Sequence, residues 1–201
     1  MTRSRSLRLL VLATLVALLA AACSVGVGTA PEDFVAPDEQ GGGRGGRGGG
    51  DADVDLLVDG AEEAMAELAA AVGTERVKAL QLAFYTDSIY LEAQSPDDPS
   101  RVDVYNWNAG EGVTSGGEKD ISGVNLDARL FNVNQVNLAA IPDLVAAAPD
   151  RLGIQGNITS SVIVQRPENS PTTLMTVFVS TPRGANGAVI ADQNGNIVAT
   201  S

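Results

Sequence analysis

The chain contains a single cysteine, Cys23, and this limits how a fold can be stabilised. One cysteine forms no intrachain disulfide, so a folded domain must rely on its hydrophobic core. Apolar residues make up 44% of the 201 residues, which is enough for such a core. The length permits one domain of ordinary size or two small halves.

The residues before Cys23 are organised as an export signal. Arginines near the N-terminus precede an apolar run of 14 residues, Leu9–Ala22, which is too short for a membrane-spanning helix of about 20 residues. The alanines directly before the cysteine complete an arrangement that resembles the lipobox of bacterial lipoproteins, with Leu19 one position further from the cysteine than usual. The resemblance implies cleavage between Ala22 and Cys23, acyl chains on the Cys23 sulfur, and a lipid anchor on the outer face of the cell membrane. An ordinary secretory signal with a chance cysteine is the alternative.

The composition is acidic, with 25 Asp and Glu residues against 13 Lys and Arg and a formal net charge of −12. Nucleic-acid-binding proteins present basic surfaces, so we expect no nucleic acid partner. Two arginines within Gly41–Gly50 are too few to change this expectation. Anionic lipid headgroups would repel such a chain, so the acyl chains on Cys23 are predicted to hold it at the membrane.

Composition divides the chain into five segments. Residues 1–22 form the predicted signal peptide, and residues 23–52 carry the lipidated cysteine and a flexible Gly/Arg linker. We expect this linker to be disordered, because it cannot offset its backbone entropy by burial. The predicted folded part comprises a first helix-sheet repeat, a connector and a second repeat, at residues 53–115, 116–137 and 138–201.

Two Ala-rich segments have helical periodicity. Ala61–Val72 carries an apolar stripe at helix spacing, a capping box headed by Asp59, and a stop at Gly73. Ile141–Ala148 has a proline in its first turn, and Pro149 is predicted to end it.

Alternating apolar residues after each helix predict strands with one buried face. Asn194-Gly195, between two short apolar segments, predicts a hairpin. A constant offset of 73 residues aligns the strands of the two halves and pairs Ile89 with Val162. The predicted fold class is α+β, with two tandem helix-plus-antiparallel-meander repeats.

This element order is similar to that of the tandem helix-plus-sheet modules of the PepSY and β-lactamase-inhibitor-protein type, over residues 59–199. The resemblance implies a binding or inhibitory module rather than a catalyst. It rests on element order without a specific motif, and so it assigns no functional residue.

The residues needed for common catalysis are missing. The chain has no histidine, and lipidation of Cys23 would leave no free thiol. Nucleophile–histidine systems and most transition-metal sites are thereby excluded. We expect no enzymatic activity, no cofactor and no metal site. Asp97 and Asp98 lie between prolines and are interpreted as turn residues rather than as calcium ligands or an acid/base pair.

Tyr105 and Trp107 are the candidate binding residues. They have the same strand parity, opposite to that of Val102 and Val104, and would line an exposed outer face if the valines face the core. The alternative is that both aromatic rings pack under the connector, residues 116–137. The chain is predicted to be a lipid-anchored extracytoplasmic binding or accessory module for an unknown envelope protein or ligand. A carrier of an apolar ligand, held in a cavity between helices and sheet, is the alternative.

Overall fold

The computed structural model describes residues 54–201. The predicted signal peptide, Ala22, Cys23 and the Gly/Arg linker therefore lie outside the described residues. No helix within residues 54–201 combines the length and the apolar character needed to cross a bilayer.

The described part consists of helices and antiparallel strands. The helices are α1 (Glu62–Val72), α2 (Leu126–Arg129) and α3 (Ile141–Leu152). The strands are β1 (Lys78–Phe84), β2 (Ser88–Gln94), β3 (Val102–Asn108), β4 (Gly112–Glu118), β5 (Phe131–Asn132), β6 (Thr159–Gln165), β7 (Leu174–Ser180), β8 (Asn186–Asp192) and β9 (Ile197–Thr200). The predicted class, α+β, is confirmed.

All of these strands join one antiparallel sheet, in the order β4-β3-β2-β1-β6-β7-β8-β9, with β5 paired to the start of β1. The central pair is β1 with β6, where Leu82 lies opposite Val164 and Phe84 opposite Val162. A helix followed by four consecutive sheet strands occurs on each side of this pair, as α1 with β1–β4 and as α3 with β6–β9. The two sides share one sheet and one core.

Helix α1 follows the predicted periodicity. Leu68 and Val72 face the core and are 0% and 4% exposed, and the helix ends where the Gly73 N–H bonds to the Ala69 carbonyl at 3.1 Å. The predicted capping box is wrong: the N-cap is Ala61, with no side-chain hydrogen bond. The carboxylate of Asp59 instead accepts from its own turn, from the Asp55 N–H at 3.1 Å.

Helix α3 continues beyond the predicted break. Pro149 lies inside the helix, which ends at Leu152 with Gly153 as its C-cap. A proline removes its own N–H bond and crowds the carbonyl four residues earlier, but it leaves the N–H groups of the following residues free to bond, so a last turn can continue past it. The Pro149 carbonyl accepts from the Ile154 N–H at 3.0 Å, which closes the helix end.

Helices α1 and α3 cover one face of the sheet. α1 packs on β3 and β4, and α3 packs on β7 and β8. The connector covers part of the opposite face, where Leu80, Val102 and Leu130 form a second small cluster. On β3, Val102 is therefore buried under the connector, and Trp107 is buried on the opposite face, next to α1.

One predicted boundary and the predicted alignment of the two halves do not match the observed elements. Strand β4 runs through the boundary placed between residues 115 and 116. The offset of 73 aligns Ile89 of β2 with Val162 of β6, although β1 is the strand that follows α1 and so corresponds in order to β6. Strand alternation has a period of two, so the pattern aligns any strand with any other and does not show which strands correspond.

The predicted Asn194-Gly195 hairpin is confirmed between β8 and β9.

Candidate functional site: a groove at the helix N-termini

An open cleft with mainly apolar walls lies where α1 and α3 begin. It has a volume of about 610 Å³. One wall is the segment that leads into α1, the other wall leads into α3, and Trp107 of β3 contributes from the sheet. The lining residues are Val54, Leu56, Asp59, Gly60, Ala61, Glu62, Glu63, Ala64, Trp107, Leu138, Ala139 and Pro142. We call this cleft the helix-start groove.

The first wall is a fixed turn. Asp55 accepts from the Leu57 N–H with its carboxylate at 3.0 Å and from the Asp59 N–H with its carbonyl at 2.7 Å. Leu56 is 2% exposed, and its N–H bonds to the Thr86 carbonyl at 2.8 Å. An Asp that bonds the backbone two residues on is a common way to hold a turn. The turn is tied to the sheet before α1 starts.

The second wall is held by residues of the β8–β9 hairpin. The backbone N–H of Asn137 donates to the Gln193 carbonyl at 2.8 Å, and the side-chain Nδ2 of Asn137 donates to the Asn194 carbonyl at 3.3 Å. These contacts fix the 3-10 turn Leu138–Ala140 against the β8–β9 hairpin. The groove walls are thus positioned by backbone hydrogen bonds.

Trp107 faces the helices, not solvent. Its side chain is part of the main core and is 9% exposed, and its indole N–H donates to Glu67 Oε2 of α1 at 2.8 Å. The prediction that Trp107 lies on an exposed outer face is wrong. The reason is that Val102 packs under the connector, which leaves the opposite parity to α1. Glu67 fixes the plane of the indole where it meets the groove.

Tyr105 does not line the helix-start groove. It is half-buried beside the main core, and burial, together with the nearby Asp103 carboxylate, raises the pKa of its phenol. The alternative prediction placed both rings beneath the connector. The connector's Leu130 packs on the face that carries Val102, whereas its Phe131 joins the main core that contains Trp107.

The groove is apolar inside and acidic at its rim. Asp59, Glu62 and Glu63 line it, and none of its lining residues is basic. Glu62 and Glu63 are exposed in the first turn of α1, where the helix dipole favours negative charge. Within residues 54–201 the ion pairs involve other carboxylates, those of Glu92, Asp103 and Glu118. The rim therefore presents three carboxylates without a cationic partner among the described residues.

A second polar cluster lies on the connector face of the sheet. The Glu92 side chain is 6% exposed, Lys119 Nζ lies 2.9 Å from its Oε1, and the Tyr90 hydroxyl donates to the same oxygen at 2.6 Å. Burial raises the pKa of Tyr90, and the hydrogen bond to Glu92 raises it further. Through Lys119, these contacts secure the connector to the sheet.

The predicted turn at Asp98 is confirmed. Asp98 Oδ1 accepts from the Ser100 N–H at 2.9 Å and from the Ser100 hydroxyl at 2.6 Å. These bonds hold the pKa of Asp98 below its usual range. Across residues 54–201 no group of three or more His, Cys, Asp or Glu side chains is arranged to hold a metal ion.

Comparison with known proteins returns nothing for this chain: no family model, no curated protein and no solved structure matches it.

Sequence reasoning found Trp107 but not the site that it belongs to. The sequence did not single out the rim carboxylates Glu62 and Glu63 as binding residues. One signal was available: Val54 and Val58 flank the buried Leu56 and Leu57 in the segment before α1, and both valines are exposed in the structure, at 36% and 63%. Their position before an acidic helix start could have suggested a contact surface.

Proposed function

We propose that this chain is a lipid-anchored, extracytoplasmic binding or accessory module, without catalytic activity, and that it acts through the helix-start groove. The observation that carries the proposal is a pre-formed cleft of about 610 Å³ with apolar walls and a tryptophan edge. Clefts of a few hundred Å³ with mainly apolar walls and few polar groups are the usual form of binding sites. Tryptophan is enriched at interface hot spots.

The second candidate function is the carrier of an apolar ligand. The apolar lining of the groove favours it, because the Leu56, Trp107 and Leu138 side chains offer no polar partner other than the indole N–H, which Glu67 already accepts. The space between helices and sheet is otherwise filled by residues such as Leu68, Leu82 and Phe84, which are each 0% exposed. A carried ligand would therefore have to lie in the groove itself.

Site-specific photocrosslinking tests the binding proposal. A photoreactive residue would replace Ala139, which is exposed and lines the groove, in cells that produce the full chain. The matched control replaces Ala185, an equally exposed alanine in the β7–β8 turn and outside the groove.

We expect a discrete adduct from position 139 that is absent from position 185. The Trp107→Ala change should reduce that adduct, because it removes the largest side chain that lines the groove. Equal labelling from both positions, or an adduct that Trp107→Ala leaves unchanged, would count against the groove as the contact site.

The location belongs to the same proposal. An export signal that ends in a lipobox implies that Cys23 carries the acyl chains and that the folded part stands outside the membrane. An acidic chain has no electrostatic attraction to anionic lipid, so the anchor carries the attachment.

We also propose that the two sides of the sheet are tandem copies of one unit, of the kind found in PepSY-like and β-lactamase-inhibitor-protein-like modules. The element order supports it, since a helix and four antiparallel strands occur twice and the first strands of each set pair with one another. Aligned sequences of close relatives would test it. Equivalent positions of β1 and β6 should conserve the same kind of residue, apolar or polar. Unrelated conservation patterns in the two halves would argue against duplication.

A further inference from the structure

We infer that the occupant of the helix-start groove is a basic segment of another polypeptide, in which apolar side chains alternate with lysine or arginine. The inference rests on the proposed binding function and specifies the chemistry of the partner. Apolar walls would take the apolar side chains, and the carboxylates of Asp59, Glu62 and Glu63 would face the cations.

Charge is the first argument. The rim carries three carboxylates, and the chain as a whole carries a formal net charge of −12. A field of this sign attracts cationic partners and repels anionic ones at long range, before any contact forms. Glu67 adds a fourth carboxylate nearby, although its Oε2 is already engaged by the Trp107 indole. No basic side chain on the groove walls offsets this field.

The openness of the groove is the second argument, and it favours a polypeptide over a small molecule. A pocket for a small apolar ligand buries most of the ligand surface. The helix-start groove is an open cleft between two chain segments, so a small ligand would keep one side in water. A polypeptide covers that side with its own backbone and neighbouring residues. Val58, 63% exposed next to the groove, would be covered by the same partner.

The groove is also shaped before any partner binds. Hydrogen bonds fix both walls, through Leu56 to Thr86 and through Asn137 to Gln193, and Glu67 fixes the indole of Trp107. A pre-formed site loses little conformational freedom when it binds, which suits an extended segment that must itself be ordered. The α1 helix also starts without a side-chain cap. Its first-turn N–H groups can therefore bond to carbonyl groups of a bound backbone.

The chain supplies its own reporter for the test. Trp107 is its only tryptophan, and it lines the groove. Binding there should change the intrinsic emission without any added label. The experiment titrates the full chain with an acetylated, amidated peptide of alternating leucine and lysine that contains no tryptophan. Two comparison peptides carry glutamate in place of every lysine or serine in place of every leucine.

The leucine–lysine peptide should bind saturably, and both comparison peptides should bind at least about tenfold more weakly, since each loses one of the two complementary features. Raising the ionic strength from 0.05 to 0.5 M should weaken the first interaction, because exposed charges are screened. The Glu62→Gln/Glu63→Gln variant should bind about threefold or more weakly, as expected for the loss of two exposed ion pairs. Glu168→Gln, an exposed acid away from the groove, serves as the matched control and should bind as the parent chain does.

The outcomes separate this inference from the binding proposal beneath it. If the glutamate peptide binds equally well, or if Glu62→Gln/Glu63→Gln has no effect, the partner chemistry is wrong while the groove still binds peptides. If no peptide changes the emission but dodecanol does so saturably, the apolar carrier function is supported and the inference fails. If neither changes the emission while the photocrosslink from position 139 persists, the partner is of another chemical class and the inference fails alone.

Discussion

Gly195 has a conformation and a neighbour that together exclude a side chain. Its φ is +90°, and a Cβ built there would lie 2.6 Å from the Ala140 Cβ at the start of α3. We expect Gly195→Ala to lower the free energy of unfolding by about 2–4 kcal/mol, since backbone strain and displacement of a packed neighbour act together. Equilibrium urea unfolding measures this change.

Gly184→Ala is the control for Gly195→Ala. Gly184 has a similar φ, +86°, but nothing lies within 4 Å of its built Cβ. The Gly184→Ala variant should lose only the part of the unfolding free energy that comes from backbone strain, about 1–2 kcal/mol. Equal losses in the two variants would mean that the contact with Ala140 does not hold the β8–β9 hairpin against α3.

Tyr90 gives a pH-dependent prediction. Burial and the hydrogen bond to Glu92 raise the pKa of its phenol above the ordinary value of 10.0. Between the two values the unfolded chain releases a proton that the folded chain keeps, so the stability falls as the pH rises above about 10. Tyr90→Phe should remove this share of the decline.

Tyrosinate absorbance is the direct measurement for Tyr90. The chain has three tyrosines, Tyr85, Tyr90 and Tyr105, and the pKa of each is raised by burial. Tyr90→Phe should remove the step at highest pH, whereas Tyr105→Phe should leave it in place. If the last step survives in Tyr90→Phe, the Glu92 bond does not persist in solution.

Leu68 anchors α1 to the sheet. It is 0% exposed at the centre of the helix face that meets the core. Leu68→Ala should lower the free energy of unfolding by about 2–5 kcal/mol, the range for a large-to-small change in a packed core. Val58→Ala, at a residue that is 63% exposed, should change it by less than about 0.5 kcal/mol. Chemical denaturation measures the loss of unfolding free energy in both variants. Similar losses would mean that α1 is not tightly packed on the sheet.

The elements themselves were largely predictable from local sequence. The spacing of Leu68 and Val72 and the stop at Gly73 define α1 to within a residue at each end. The errors lie where local signals are ambiguous. Asp59 has the residue type of a cap but satisfies its own turn, and Pro149 has the residue type of a breaker but falls in a last turn that tolerates it.

The faces of β3 show why parity alone was insufficient. It correctly separates Val102 from Tyr105 and Trp107, but it does not say which side the helices cover. Because the connector covers Val102, apolar residues are needed on both sides of this strand. A strand with a buried apolar residue on each face lacks the simple apolar/polar contrast that identifies a single core face.

The helix-start groove depends on contacts that span the whole chain. It joins the segment around Leu56 to Trp107 and to Leu138, which become neighbours only because β1 pairs with β6 and merges the two sides into one sheet. Two helix-plus-strand sets could equally have stacked as separate sheets. The sequence therefore supported Trp107 as a candidate while leaving the rim carboxylates Glu62 and Glu63 out of the site.

The proposed lipid anchor gives the prediction that concerns the protein as a whole. Cys23 is the only residue whose side chain can take the thioether-linked acyl group. Each buried CH₂ contributes roughly 0.8 kcal/mol, so two or three acyl chains hold the protein at a membrane where a single chain would not. The parent chain should partition into the detergent phase on cloud-point separation and carry acyl mass. Cys23→Ala should carry no acyl mass and should keep its signal uncleaved by the lipoprotein peptidase, whereas Ser24→Ala should behave as the parent does. A parent chain that stays aqueous and carries no acyl mass would leave an ordinary secretory signal as the correct interpretation.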